Sequence, residues 1–256
     1  MIDIHAHILW DVDDGPSSIE ETMHMLAQAV QEGITEIIAT PHRHHPQYDV
    51  GYEKVNDQIY TLQEELKNNG IPLTLHTGHE VRLSAKILSL HKEKKIHTLA
   101  NSNYLLLELP SDHVPYYTTN IIRQLLVEGI IPIIAHPERN KAIAERPIYL
   151  ERLIREGAVA QITAGSLAGH FGRTIQKISL NLVKTNLVHT YGSDAHNLTF
   201  RPFLFDAGLR YLEKRKALDA VDILLENNAR VIKNKPLLIQ EPEEITELKW
   251  WKIFSL

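Results

Sequence analysis

Short, almost wholly apolar runs alternate along this chain with longer stretches in which apolar residues recur every three or four positions. The short runs lie at 2–4, 34–39, 73–76, 104–107, 131–135, 159–162 and 187–190. Each is too short for a helix and most are rich in branched aliphatic side chains, which predicts buried strands. The stretches between them predict helices. Ile19, Met23, Leu26, Ala27 and Val30 share one helical face, with Ser17 and Ser18 as N-cap candidates, Glu20 and Glu21 three residues on, and Gly33 as the stop. Val55, Ile59, Leu62 and Leu66 mark a second helix, closed by Asn69-Gly70. Ile121, Ile122, Leu125 and Leu126 mark a third, Leu150, Leu153 and Ile154 behind Pro147 a fourth, and Ile175, Ile178, Leu182 and Val183 a fifth. Between Glu80 and Tyr104 only 85–91 has helical character, and Lys92-Glu93-Lys94-Lys95 reads as a solvated charge run.

Seven apolar strands alternating with helices predict a parallel sheet covered on both faces. An open doubly wound sheet gathers its ligand at one switch point. Here polar, ligand-type residues follow nearly every strand, which fits a closed barrel with its site at the carboxyl ends of the strands. The expected fold is therefore α/β, one seven-stranded TIM-like barrel domain over residues 1–256, with helices at 203–212 and 217–231 closing it. Residues 234–256 read as a C-terminal extension, polar until Trp250, Trp251, Ile253 and Phe254. Those aromatics either pack back on the body or meet a partner.

Composition narrows the chemistry. A net charge of -5 argues against a general nucleic-acid binder, which needs a basic footprint. No apolar run is long enough to span a bilayer and no charged-then-apolar leader is present, so the expectation is a soluble, cytoplasmic protein. Zero cysteines exclude disulfides, thiolate metal ligands and a cysteine nucleophile. The 15 histidines tilt instead toward imidazole-bound metal.

The positions of those histidines sharpen the point. His5-Ala6-His7 ends the first strand, and period-two alternation points both imidazoles to one side. His42, Glu80, Glu108, His136, Asp194 and His196 follow later strands, and Asp14 lies in the first acidic loop. A barrel would aim all nine at one mouth. The remaining histidines act as a control: His24 and His91 fall in helical stretches, His97, His113 and His170 in loops, and His76 and His189 within strands. His44, His45 and His79 stay ambiguous. Nine ligands exceed the needs of one ion, so two or three clustered ions are expected, with carboxylates such as Glu80 bridging them. Arg139 and Arg201 sit beside His136 and His196. Either alone could be a surface ion pair, but placement next to two separate ligands favours phosphate, whose oxygens match the guanidinium fork. Metal-assisted hydrolysis of a phosphate ester follows.

HAH near the N-terminus, TPH, GHE, HPER and SDAH, in that order, resemble the motifs of the PHP (polymerase and histidinol phosphatase) superfamily. Within it DVDDGP, IIATPHRHH, IPIIAHPERN, ITAGSLAGHFG and GSDAHN are most similar to the manganese-dependent protein-tyrosine phosphatases of bacterial capsule and exopolysaccharide systems. The resemblance spans residues 1–201 in motifs and does not reach the tail. It implies a PHP-type (β/α)7 barrel with a trinuclear site. His5, His7, Glu80 and Asp194 would hold one ion, Glu80, Glu108 and His136 a second, and Asp14, His42 and His196 a third. Manganese is the expected metal, with iron or zinc also suited to these ligands. Arg139 and Arg201 would bind phosphate while a metal-bridging hydroxide attacks phosphorus and expels tyrosine phenolate. The implied partner is the phosphotyrosine segment of a cognate bacterial tyrosine kinase. Three other readings share these residues: a small-molecule phosphomonoesterase such as a histidinol-phosphatase, a PHP phosphodiesterase acting on nucleic acid, which the acidic charge and the lack of a basic stripe disfavour, and a non-enzymatic module that binds the kinase tail with structural metals.

Overall fold

The structure is a computed structural model that describes residues 1–243. The chain runs β1 (Ile2–Ala6), α1 (Ile19–Gln31), β2 (Glu36–Ala39), β3 (His42–Arg43), α2 (Tyr52–Asn68), β4 (Thr74–Thr77) and β5 (Glu80–Arg82). Next come α3 (Ile87–Lys92), β6 (Tyr104–Glu108), α4 (Thr118–Val127), β7 (Ile131–Ala135), α5 (Lys141–Glu145) and α6 (Ile148–Arg155). The last part holds β8 (Val159–Thr163), α7 (Ala164–Ala168), α8 (Arg173–Lys184), β9 (Thr190–Gly192), α9 (Phe205–Lys214) and α10 (Leu218–Ile232). Every strand pairing is parallel. The strands form a sheet of three, in the order β1-β2-β4, and a sheet of six, β3-β5-β6-β7-β8-β9.

The nine strand segments differ from the seven uninterrupted strands that the apolar pattern predicts. The two extra segments, β3 and β5, lie beyond the apolar runs 34–39 and 73–76, after breaks at Thr40-Pro41 and at Gly78-His79. Pro41 has no N–H to give a ladder. At Gly78 a Cβ would stand 2.7 Å from Ile38 Cγ2, so the backbones approach where only glycine fits. At the other side of the molecule, Asp194 N donates to His5 O and His7 N to Ala195 O, both at 2.8 Å. These bonds tie the end of β1 to the turn after β9.

Alternation within the strands feeds two apolar layers. Ile4, Ile38, Leu106, Ile133 and Val159 meet in one buried cluster drawn from both sheets. Their neighbours Ile37, Leu105, Leu107, Ile134 and Ala160 face the outer helices. Helix α1 begins as its sequence requires: Ser18 Oγ caps Glu21 N at 3.3 Å, and Glu21 Oε2 returns to Ser17 N at 2.9 Å. The five residues of α7, too few for a periodic apolar face, follow β8 directly. Their helix packs so closely on α9 that a Cβ at Gly208 would meet Ala164 O at 2.9 Å and the Tyr191 hydroxyl closer still.

The described part of the extension runs across the amino-terminal ends of the strands. Asn103 N donates to Asn234 Oδ1 and the Tyr104 hydroxyl to Lys235 O, both at 2.8 Å, and Glu243 N reaches Thr185 O at 3.0 Å. Trp250, Trp251, Ile253 and Phe254 lie outside the described residues. No helix among the described residues is long and apolar enough to cross a membrane.

Candidate metal centre

All nine predicted ligands converge at the carboxyl ends of the strands. Glu80 is the hub. Its Oε1 lies 2.7 Å from His136 Nε2 and 3.6 Å from His5 Nε2, and its Oε2 lies 3.3 Å from His7 Nε2 and 3.1 Å from His42 Nδ1. Asp194 Oδ1 stands 3.2 Å from His5 Nε2. Asp14 Oδ1 faces His42 Nε2 at 3.4 Å and His196 Nε2 at 3.2 Å. Ligand atoms gather within 4.8 Å of one another in three groups: His7, Asp14, His42 and His196; His5, His7 and Glu80; and His42, Glu80 and Glu108. His136 and Asp194 fall outside those groups but touch them, through Glu80 and His5 respectively. Two of the nine, His136 at φ 33 and Asp194 at φ 56, are left-handed non-glycine residues. Such backbone costs energy and tends to persist where a site over-determines it.

Contacts behind the site fix which nitrogen faces in for three of the rings, His5, His7 and His196. His5 Nδ1 meets Gln161 Oε1 at 3.0 Å, while Gln161 Nε2 donates to Ile162 O. His7 Nδ1 meets Asp13 Oδ2 at 2.8 Å, and His196 Nδ1 meets Asp194 O at 2.9 Å. Each of those partners accepts, so each Nδ1 carries the proton and donates it. The Nε2 lone pairs then point inward, and those of His5 and His7 are 3.4 Å apart. Two facing lone pairs repel unless a cation lies near them. Among the described residues, buried Asp194 Oδ1, His196 Nε2 and Glu108 Oε2 likewise find no hydrogen-bond partner. An imidazole-carboxylate set with inward lone pairs and orphaned acceptors fits manganese, iron or zinc.

The electrostatics agree with a site built for positive charge. Burial alone would raise the Glu80 pKa, yet the imidazoles of His5, His136 and His42 hold it well below the carboxylate range. Burial would likewise lower His7, but Asp13 and Glu80 draw it up to about 9. Arg139 and Arg201 close the rim. Both guanidiniums donate to Asp194 Oδ2, Arg201 at 2.7 Å, and Arg201 Nη1 also reaches Asp14 Oδ2 at 3.3 Å. Despite its burial, Asp194 is held far below its usual pKa by these two arginines. A cavity of about 290 Å3 opens here, lined by Asp14, His42, Glu80, Glu108, His136, Arg139 and Arg201.

Sequence reasoning missed the supporting residues. Asp13 holds His7 Nδ1, His42 N at 3.0 Å and Gly15 N at 3.0 Å. It is one of three acids in DVDDG, and nothing in their spacing says which faces inward. Gln161 sits inside an apolar strand, where a lone amide is the only signal. Of the ambiguous histidines, His79 accepts from His97 N at 2.8 Å away from the ligand set, whereas His45 stacks on His42 with centroids 4.6 Å apart.

Comparison with known proteins assigns the family. A putative tyrosine-protein phosphatase, CapC of Staphylococcus aureus, is 42% identical over 251 residues, 98% of each chain. The tyrosine-protein phosphatase YwqE of Bacillus subtilis (strain 168) is 38% identical, over 99% of this chain and 100% of its own. Among crystal structures of YwqE from Bacillus subtilis and CpsB from Streptococcus pneumoniae, described as unique metal-dependent tyrosine phosphatases, one chain superposes with a TM-score of 0.93 at 38% identity, covering 96% of this chain and all of that one. The family model for capsular polysaccharide synthesis, CpsB/CapC, matches residues 1–233. This chain belongs to the CpsB/CapC family of capsular polysaccharide synthesis.

Proposed function

We propose that this chain is a metal-dependent protein-tyrosine phosphatase of capsule or exopolysaccharide synthesis. Its substrate on this reading is the phosphotyrosine segment of a cognate bacterial tyrosine kinase in the cytoplasm. The observation that carries it is the convergence of three imidazole-carboxylate groups and two guanidiniums on one cavity. Relatives named tyrosine-protein phosphatase share its whole length.

His5, His7, Glu80 and Asp194 would hold one ion, Glu80, Glu108 and His136 a second, and Asp14, His42 and His196 a third, with manganese the metal we favour. When bound, clustered divalent ions polarise phosphoryl oxygens and lower the pKa of water. The remaining work falls to the chain. Arg139 and Arg201 would clamp the phosphate oxygens in two-point contact and offset the charge that builds there. Asp194 already holds both guanidiniums at the rim, and Asp14 also holds that of Arg201. Asp13 and Gln161 keep the His7 and His5 rings turned inward. A tyrosine phenol leaves with a pKa of about 10, so no strong general acid is required and none is assigned.

The same reading treats residues 1–256 as a single PHP-type domain, with 234–256 as its extension. β2 with β3, and β4 with β5, would each count as one strand broken at a turn, which leaves seven in a (β/α)7 barrel. The single inner cluster and the Ala6–Ala195 bridge support that closure.

Phosphate release by metal-stripped protein, with and without manganese, tests the proposal on a phosphotyrosine peptide and on histidinol phosphate in parallel. Manganese-restored turnover of the peptide, lost in His136→Ala, is expected. Preference for histidinol phosphate would replace the substrate, and binding of the peptide with no turnover would favour the non-enzymatic module.

A further inference from the structure

The cavity has one wall that the ligand set and the arginines leave unexplained. His45 and Tyr48 line it beside Glu80 and Arg139, yet neither belongs to any group of candidate ligands. Their rings lie nearly parallel to each other and to His42. The planes of His42 and Tyr48 differ by 7°, those of His45 and Tyr48 by 16°, and the centroids of all three rings lie 4.6–5.8 Å apart. Leu109 and Pro110 line the same cavity with apolar surface.

The loop that carries this wall is tied at its neck. Asp49 Oδ1 accepts from Arg43 Nη1 and from His44 N, both at 2.8 Å, and Val50 N donates to His42 O at 3.0 Å. Arg43 Nε is in turn held by Lys95 O at 3.0 Å. His44 takes a left-handed turn at φ 60 within it. Side chains on a pinned loop are pre-arranged, so little ordering is needed when a ligand arrives.

Parallel aromatic rings beside a charged floor match a phosphate ester that is itself half charged and half aromatic. We propose that His45 and Tyr48 stack on the phenyl ring of an aryl phosphate whose phosphoryl group lies on Arg139 and Arg201, so that the cavity selects aryl over alkyl esters. The proposal rests on the phosphatase reading for where the phosphoryl group sits. An alkyl ester such as phosphoserine offers only a methylene to this wall and gains nothing from it. Stacked rings with centroids 4.5–7 Å apart favour association beyond the area they bury.

Phenylphosphonate and methylphosphonate, which cannot be hydrolysed, test this by calorimetric binding to the manganese-loaded protein. The wild type should bind phenylphosphonate about tenfold more tightly. Tyr48→Ala and His45→Ala should each reduce that preference by about three- to tenfold, leave methylphosphonate within about twofold, and Tyr48→Phe should retain it. Equal binding of the two phosphonates by the wild type would overturn the proposal. So would parallel loss of both in Tyr48→Ala, since the wall would then merely support His42. Turnover of a phosphotyrosine peptide is measured on the same preparations. Aryl preference without turnover would keep the wall and sink the phosphatase reading.

Discussion

His5 and His189 are both deeply buried imidazoles with Nδ1 engaged, and they sit in opposite environments. His5 Nε2 faces Glu80, Asp194 and His7. Burial by itself would lower its pKa, but Glu80 and Asp194 outweigh burial and raise it. His189 accepts from Ala160 N at 3.2 Å, and its Nε2 has no hydrogen-bond partner among the described residues. With no acid beside it, burial pushes it down to about 4. Depth alone therefore does not make a ligand. At His5 the buried acids around the ring favour a cation, whether a proton or a metal.

Removing the hub acid breaks that contrast most completely. Glu80→Gln keeps the shape of a side chain that touches four imidazoles and removes its charge. Loss of a partner one contact behind a metal costs about 10–100-fold in affinity, so loss of the shared carboxylate should cost about a thousandfold or more. Manganese titration followed by a competing chelator checks this, with circular dichroism to confirm folding.

His189 supplies the opposite test, in stability. Its folded pKa of about 4 lies below the ordinary 6.5, so the unfolded chain binds the extra proton. Its contribution is whole above pH 6.5 and is lost as pH falls from about 6.5 to about 4, by about 3 kcal/mol. Urea unfolding of metal-free protein at pH 7 and pH 4.5 should show this loss. His189→Asn, which can still accept from Ala160 N but cannot titrate, should show a smaller one. An unchanged pH dependence in the variant would count against the assignment.

Asp13→Asn sharpens the comparison at one remove, because it changes how His7 is held rather than what faces in. We expect manganese affinity to fall about 10–100-fold with the fold intact. Ser18→Ala touches neither region. It removes the α1 cap, should cost about 1 kcal/mol in thermal unfolding, and should leave metal affinity unchanged.

What was legible in the sequence followed from periodicity. His5, His42, His136 and Asp194 were identifiable because each lies at or just beyond the end of an apolar run, where parallel strands place their sites. Asp13 and Gln161 were not, because the first meets His42 N across 29 positions and the second meets His5 across 156. Contacts of that span are set by tertiary packing and leave no local pattern. Nor do β3 and β5 show as apolar runs: each resumes the ladder just past a break, at Pro41 or Gly78, and carries a candidate ligand, His42 or Glu80. The apolar run predicts the last strand at 187–190, whereas β9 is Thr190–Gly192. Leu187 and Val188 are buried by packing, not by a ladder, and an apolar run does not distinguish the two. Sequence does not separate His45 from His44 and His79, because stacking depends on how the loop after β3 is tied.

Metal content after reconstitution tests the central claim most directly. Wild type, Glu80→Gln and His189→Asn would be loaded with manganese, passed through a desalting column and measured by mass spectrometry. The acid-bound imidazoles should retain roughly two to three ions per chain in the wild type and in His189→Asn, and few or none in Glu80→Gln. A full complement in Glu80→Gln, or none in the wild type, would contradict the account.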